Sequence, residues 1–173
     1  MRNSIVTSAA LLAAGIGMTS PGNALAEITR QNATGMCQGA LPAFDTQIRK
    51  RPLAVRNEGT QGAFVSCSLA GTEGEVHRSV EIVFTNSSAA TAQINCTVVS
   101  GRTLGPAPQY YTRTVSVPAG VVDGIVHNFD TAVDPANMIN VSCQLPPGTS
   151  LDYIRYDSVE PLAVMAARSA QSA

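Results

Sequence analysis

The chain has 173 residues, eleven Lys or Arg against twelve Asp or Glu, a net charge of −1 and no tryptophan. Its only cationic cluster is Arg49–Lys50–Arg51, so it lacks the basic patch that a nucleic-acid or anionic-membrane partner leaves as a footprint. Scarce chemistry-bearing residues narrow the field further, with four cysteines and two histidines in the whole chain.

The N-terminus carries Arg2, then the apolar run from Ile5 to Met18, then the small residues Ala24-Leu25-Ala26. That order of a positive end, a short apolar stretch and a small-residue site predicts a secretory signal peptide over 1–26, cut after Ala26. Taking 26 residues from 173 leaves 147, enough for one hydrophobic core. Only Arg2 is lost among the charges, so the mature chain carries ten basic and twelve acidic residues, a net −2. The domain is expected over 27–160, followed by a flexible tail over 161–173 rich in small residues, with no transmembrane segment in the mature chain.

Beyond the leader nearly every segment alternates with period two. Strands are expected at 53–57, 62–69, 79–85, 92–99, 109–117, 123–129, 139–145 and 150–158. Turn-rich stretches separate them, among them Asn57–Gly62, Thr85–Thr91, Pro118–Gly120 and Pro146–Thr149. Many short strands with regular turns predict an all-β fold, a single-domain antiparallel β-sandwich.

Three strands repeat one phrase around a cysteine: Val65-Ser-Cys67, Ile94-Asn-Cys96 and Val141-Ser-Cys143. Each cysteine shares an inward face with aliphatic neighbours. With Cys37 the count is even, and an exported chain with four cysteines is expected to form two disulfides. The matching inward slots of Cys96 and Cys143 favour that pair and leave Cys37 with Cys67. Rival pairings of Cys67 with Cys96 or Cys143 remain open at this level.

Candidate chemistry is sparse. His77 and His127 sit on strands without a nucleophile elbow nearby, so no catalytic residue is assigned. Asp130 and Asp134, near Asp123, Asn128 and Asn137, are the densest oxygen ligands and the candidate calcium site, though no cofactor is required by any motif. Glu73, Glu75 and Glu81 read as a solvated turn and outward face. Tyr110, Tyr111, Tyr153 and Tyr156 are the aromatics placed outside the core and form the candidate ligand-binding set, as stacking platforms for sugars.

The stretches Cys37–Leu69 and Val141–Glu160 carry "RP", "C-LPPG" and an acidic "Y-S-VE" ending. In these it resembles uncharacterised secreted proteobacterial proteins with a signal peptide and a single disulfide-containing β-sandwich domain. The resemblance implies export and domain extent and assigns no site. Together these readings point to a secreted or periplasmic bacterial protein, a non-enzymatic binding or envelope-associated module whose partner is an envelope protein or a glycan. A carbohydrate- or calcium-binding sandwich stands second and a secreted hydrolase third. Intact-mass measurement of the exported protein is expected to give a chain beginning at Glu27; a mature N-terminus that retains residues before Asn23 would contradict the leader assignment.

Overall fold

The computed structural model describes residues 26–69, 76–101, 107–129 and 138–159. Among them run eleven strands: β1 (Ala26–Asn32), β2 (Cys37–Gly39), β3 (Ile48–Arg51), β4 (Ala54–Asn57), β5 (Ala63–Ser68), β6 (Val76–Asn86), β7 (Ala92–Gly101), β8 (Gln109–Val117), β9 (Val122–Asn128), β10 (Met138–Leu145) and β11 (Thr149–Val159). A single helical turn, α1 (Ala33–Met36), follows β1. The strands form two antiparallel sheets, one ordered β3-β4-β11-β6-β9 with β1 also on β11, the other β2-β5-β10-β7-β8. This is the all-β antiparallel sandwich expected from the alternation. The expected leader and the 161–173 tail lie outside the described residues.

The inner faces follow from the period-two pattern. On β7, Ala92, Ile94, Cys96 and Val98 are buried while Gln93 and Asn95 are exposed. On β10, Ile139, Val141, Cys143 and Leu145 are buried. Opposite them, Val80, Ile82 and Phe84 of β6 and Leu151 and Ile154 of β11 fill the other half of the core. Burial of such aliphatic side chains contributes about 1.5–3 kcal/mol each.

Register decides the disulfides. Cys67 lies directly opposite Cys37 on one side and Val141 on the other; Cys143 lies opposite Cys96 and Val65. The bonds accordingly join Cys37 to Cys67 and Cys96 to Cys143, with Cα–Cα separations of 4.0 and 4.1 Å. Both staple neighbouring strands within the five-stranded sheet rather than joining the two sheets. A Cys67–Cys143 bond would need β5 to slip by two residues against β10. Each bridge stabilises the fold by roughly 2–4 kcal/mol through restriction of the unfolded chain.

One end of the sandwich is closed by two buried asparagines in equivalent roles. Asn57, at the end of β4, donates from Nδ2 to the carbonyls of Gln61 and Leu145, both at 2.7 Å, and accepts from Gly59 N–H. Asn86, at the end of β6, donates from Nδ2 to Ala90 and Val117 carbonyls, both at 2.8 Å, and accepts from Ser88 N–H. Each ties its own five-residue loop to the end of a strand in the opposite sheet. Gly148 joins the two, its N–H donating to the Asn57 carbonyl and its carbonyl accepting from Ser87 N–H. It has φ of 76°, and an added Cβ would meet Ser88 at 3.1 Å, so glycine is required there on both counts.

Charge divides unevenly between the sheets. The six-stranded sheet's strands carry twelve Asp, Glu, Lys and Arg residues: two on β1, three on β3, one on β4, two on β6, one on β9 and three on β11. The five-stranded sheet's strands carry only Arg113, which lies opposite the inward Cys96. Three strands escape the sequence reading: β1, the three-residue β2, and β3, whose Arg49–Lys50–Arg51 reads as a strand end.

Replacing Asn86 by Asp keeps its shape but removes both donors from buried carbonyls. A loss of about 2–4 kcal/mol in denaturant unfolding is expected, with a similar loss for Asn57→Asp. The exposed Asn95 is the control, and its replacement by Asp should shift stability by less than about 0.5 kcal/mol. Equal effects at Asn86 and Asn95 would remove the clamp from the account.

Candidate functional site

A cavity of about 490 Å³ forms a notch on the outer face of the six-stranded sheet, lined by Arg30, Asn32, Leu53, Ala54, Asp152 and Tyr153. It exists because β11 shares one edge between two partners. β1 pairs with β11 from Val159 back to Tyr153, and β4 pairs at Leu151 and Ser150. Asp152 falls between them and has no register partner on that edge or on β6, where the pairing shifts between Leu151 and Tyr153. Such a bulge re-aims side chains, and here it lets Asp152 and the outward-facing Tyr153 line one cavity.

The walls of the notch are held in place. Asp152 accepts from Ser150 Oγ at 2.8 Å and from Thr85 Oγ1 at 2.5 Å, which orients its carboxylate and leaves lone pairs for a ligand. The Arg30 guanidinium stacks on the Tyr153 ring, 4.2 Å from its centroid, a cation–π contact that fixes both. Asn32 caps α1 by accepting from Thr34 N–H at 2.9 Å, which leaves its NH₂ group to donate. Thr34 in turn donates to the Arg51 carbonyl at 2.7 Å, tying α1 to the β3–β4 turn that presents Leu53, a 75% exposed apolar side chain. An aromatic ring and an aliphatic side chain stand beside a carboxylate, an amide and a guanidinium. Such a set can hold the apolar face of a small polyol and hydrogen-bond its hydroxyls.

The four tyrosines do not form one row. Tyr153 lines the notch. Tyr110 is 68% exposed on the opposite side of the molecule, on β8. Tyr111 points inward and packs edge-on to Phe129 at 5.1 Å. Tyr156, placed outside the core on sequence grounds, is instead buried in it, 4% exposed, packed against His77 and accepting from Gln31. Its ring is a packing residue because the bulge at Asp152 turns Ile154, Tyr156 and Ser158 inward. Asp130 and Asp134, with Asn137, lie outside the described residues. Asp123 is exposed on β9 and accepts from Gly124 N–H. Among the described residues no group of three His, Cys, Asp or Glu could hold a metal ion, and no helix is long and apolar enough to cross a membrane.

Arg30, Asn32, Leu53 and Asp152 escape the sequence reading. One signal was present. Leu151 and Ile154 are both aliphatic yet three residues apart, an odd spacing that a flat strand cannot bury on one face and a bulge can.

Both histidines are sealed in the core at 1% exposure, so neither reaches a ligand. Burial, reinforced by the Arg113 charge, lowers the His127 pKa from 6.5 to about 4. Glu81 pairs with Arg155 at 2.8 Å on the outer face, in keeping with the solvated role expected for it.

No protein-family model and no curated protein sequence matches the chain. Among solved structures it is similar to a family 35 carbohydrate-binding module from Clostridium thermocellum, at 12% identity and TM-score 0.45, covering 75% of this chain and 97% of that one. A family 11 carbohydrate-binding module from the same organism, in complex with a mixed-linked tetrasaccharide, gives 12% identity and TM-score 0.40 over 76% and 82% of the two chains. An exo-β-1,3-galactanase from Phanerochaete chrysosporium gives 18% identity and TM-score 0.44 over 75% of this chain but only 29% of the enzyme. At these scores the likeness is one of sandwich architecture. The resemblance to uncharacterised secreted proteobacterial proteins with a single disulfide-containing domain is not upheld. The sandwich holds two disulfides, and neither a family model nor a curated sequence supports the grouping.

The depressed His127 pKa makes stability depend on pH in one direction. Between about 4 and 6.5 the unfolded chain binds a proton at this site that the folded chain does not, so stability falls as pH drops through that window and is unaffected above it. In His127→Leu that dependence is absent. The difference in unfolding free energy between the variant and the parent is expected to shift in the variant's favour as pH falls from 6.5 to 4. A difference that stays constant over the window would contradict a buried, neutral His127.

Proposed function

We propose that the protein is an exported, non-enzymatic sandwich module that holds a neutral sugar unit in the notch beside Tyr153. The carrying observation is the composition of that cavity. Asp152, preoriented by Ser150 and Thr85, accepts hydroxyl protons. Asn32 and Arg30 donate to hydroxyl oxygens, and Tyr153 with Leu53 covers a C–H face. A cation and a carboxylate in one small cavity balance, which suits an uncharged polyol better than an ionic ligand.

A binding role is supported over hydrolysis by the same composition. Glycoside hydrolysis takes two carboxyl groups flanking one bond, whereas Asp152 is the single acid among the described lining residues. Export is supported by the N-terminal apolar run and by the complete pairing of all four cysteines, because disulfides persist in oxidising compartments.

A neutral glycan array followed by calorimetry with the best oligosaccharide tests the proposal. Tyr153→Ala and Asp152→Asn are each expected to weaken binding at least about tenfold, roughly 1.4 kcal/mol, with unfolding transitions retained. Binding should change little with salt, since no net charge is neutralised. An array without a neutral ligand, or affinity unchanged in both variants, would refute the notch as the site.

A further inference from the structure

The outer face of the five-stranded sheet is the larger anomaly of the surface. Exposed sheet faces and edges are ordinarily kept soluble and unpaired by charged side chains, as the six-stranded sheet is here. The five-stranded face instead presents hydroxyls and amides in cross-strand rows. One row crosses all five strands in register: Gln38, Ser66, Ser142, Thr97 and Thr112. The rows are internally tied, Thr97 to Thr112 at 2.8 Å and Ser68 to Asn140 at 2.7 Å, so their rotamers are held before any ligand arrives.

We infer that this face is a second binding surface, on which an extended neutral polysaccharide chain lies across the strands. The occupant follows from chemistry. Nucleic acid or an acidic polymer would require cations, and the one charged residue of these strands, Arg113, lies opposite the inward Cys96. A protein interface has an apolar, aromatic core with a polar rim, and here the centre is polar while the apolar groups stand at opposite corners, Phe64 at one and Tyr110 with Val99 and Met138 at the other. A second copy of the same face would bring the same polar centre and no apolar core. A hydroxyl-rich neutral polymer meets these groups donor to acceptor without burying a charge. Strands lie about 4.8 Å apart, close to the advance of one hexose along an extended chain. A chain running perpendicular to the strands therefore sets one sugar over each strand of the row, about five in all, with the Tyr110 ring at one margin.

This surface is on the opposite sheet from the notch and does not depend on it. The test is co-sedimentation of the full chain with insoluble neutral polysaccharides (cellulose, chitin, β-1,3-glucan and starch granules), with alginate beads as the anionic control, followed by titration of soluble oligomers of the retained polymer. Affinity is expected to rise with oligomer length to about five sugars and then level off, and retention should persist at high salt. Ser142→Lys and Thr97→Lys, checked by their unfolding transitions, should each reduce retention at least tenfold, while Tyr153→Ala leaves it within twofold. Thr112→Lys, at the edge strand where folding is least at risk, gives the same reading if either central variant fails to fold. Retention lost in Tyr153→Ala but kept in the face variants would assign all binding to the notch and overturn this inference. So would a lack of retention on every neutral polymer, or a concentration-dependent dimer in the parent that the lysine variants abolish.

Discussion

The register of β10 between β5 and β7 is the constraint on which the rest depends. With Val141 facing Cys67 and Cys143 facing Cys96, Cys143 meets the partner it bonds, and Cys67 is kept from Cys143 and left to Cys37 across the β2–β5 pairing. A shift of one residue would turn the aliphatic row outward and the Ser, Thr, Asn and Gln row into the core. The same register thus selects the Cys96–Cys143 bond, excludes a Cys67–Cys143 bond, fills the inner face and assembles the uncharged outer rows. Stapled strands make that sheet a stiff surface, because both bonds act between lateral neighbours and resist slippage of one strand past the next.

The second sheet is built with more irregularity. Its central β11 is long enough to serve β6 along one edge and both β1 and β4 along the other. Two strands on one edge leave a seam, and the seam with its bulge at Asp152 is the notch. The buried asparagines hold the two sheets together at the end where β4 and β6 cross over to β5 and β7. Asn57 and Asn86 reach the carbonyls of Leu145 and Val117, so the rigid sheet and the indented one share a fixed frame. The neutral polar face and the mixed-charge notch thus lie on opposite sides of that frame.

Much of the fold was legible from alternation alone. The segment 109–117 is a strand over those residues, and β5, β7, β10 and β11 differ from expectation by one or two residues at an end. The cysteine pairing was legible because matching inward slots imply matching depth in the sheet. What stayed hidden depends on contacts distant in sequence. β2 is three residues long and exists because Cys37 meets Cys67. Asn57 and Asn86 read as ordinary turn residues, since nothing local reveals that their amides point to carbonyls 88 and 31 positions away. Tyr153 lines the notch, but Tyr156, expected beside it outside the core, is buried: the two lie three residues apart on a regular run of β11, so period two itself puts their rings on opposite faces. Arg30 and Asp152 are joined only by the pairing of β1 with β11, over a separation no motif spans.

The claim that one register sets both the core and the outer face is tested most directly by proteolysis under non-reducing conditions and mass mapping of the linked peptides. Two species are expected, one joining the Cys37 and Cys67 peptides and one joining those of Cys96 and Cys143. A Cys67–Cys143 or Cys67–Cys96 peptide would contradict it, because β5, β7 and β10 would then be out of the register that builds the rows.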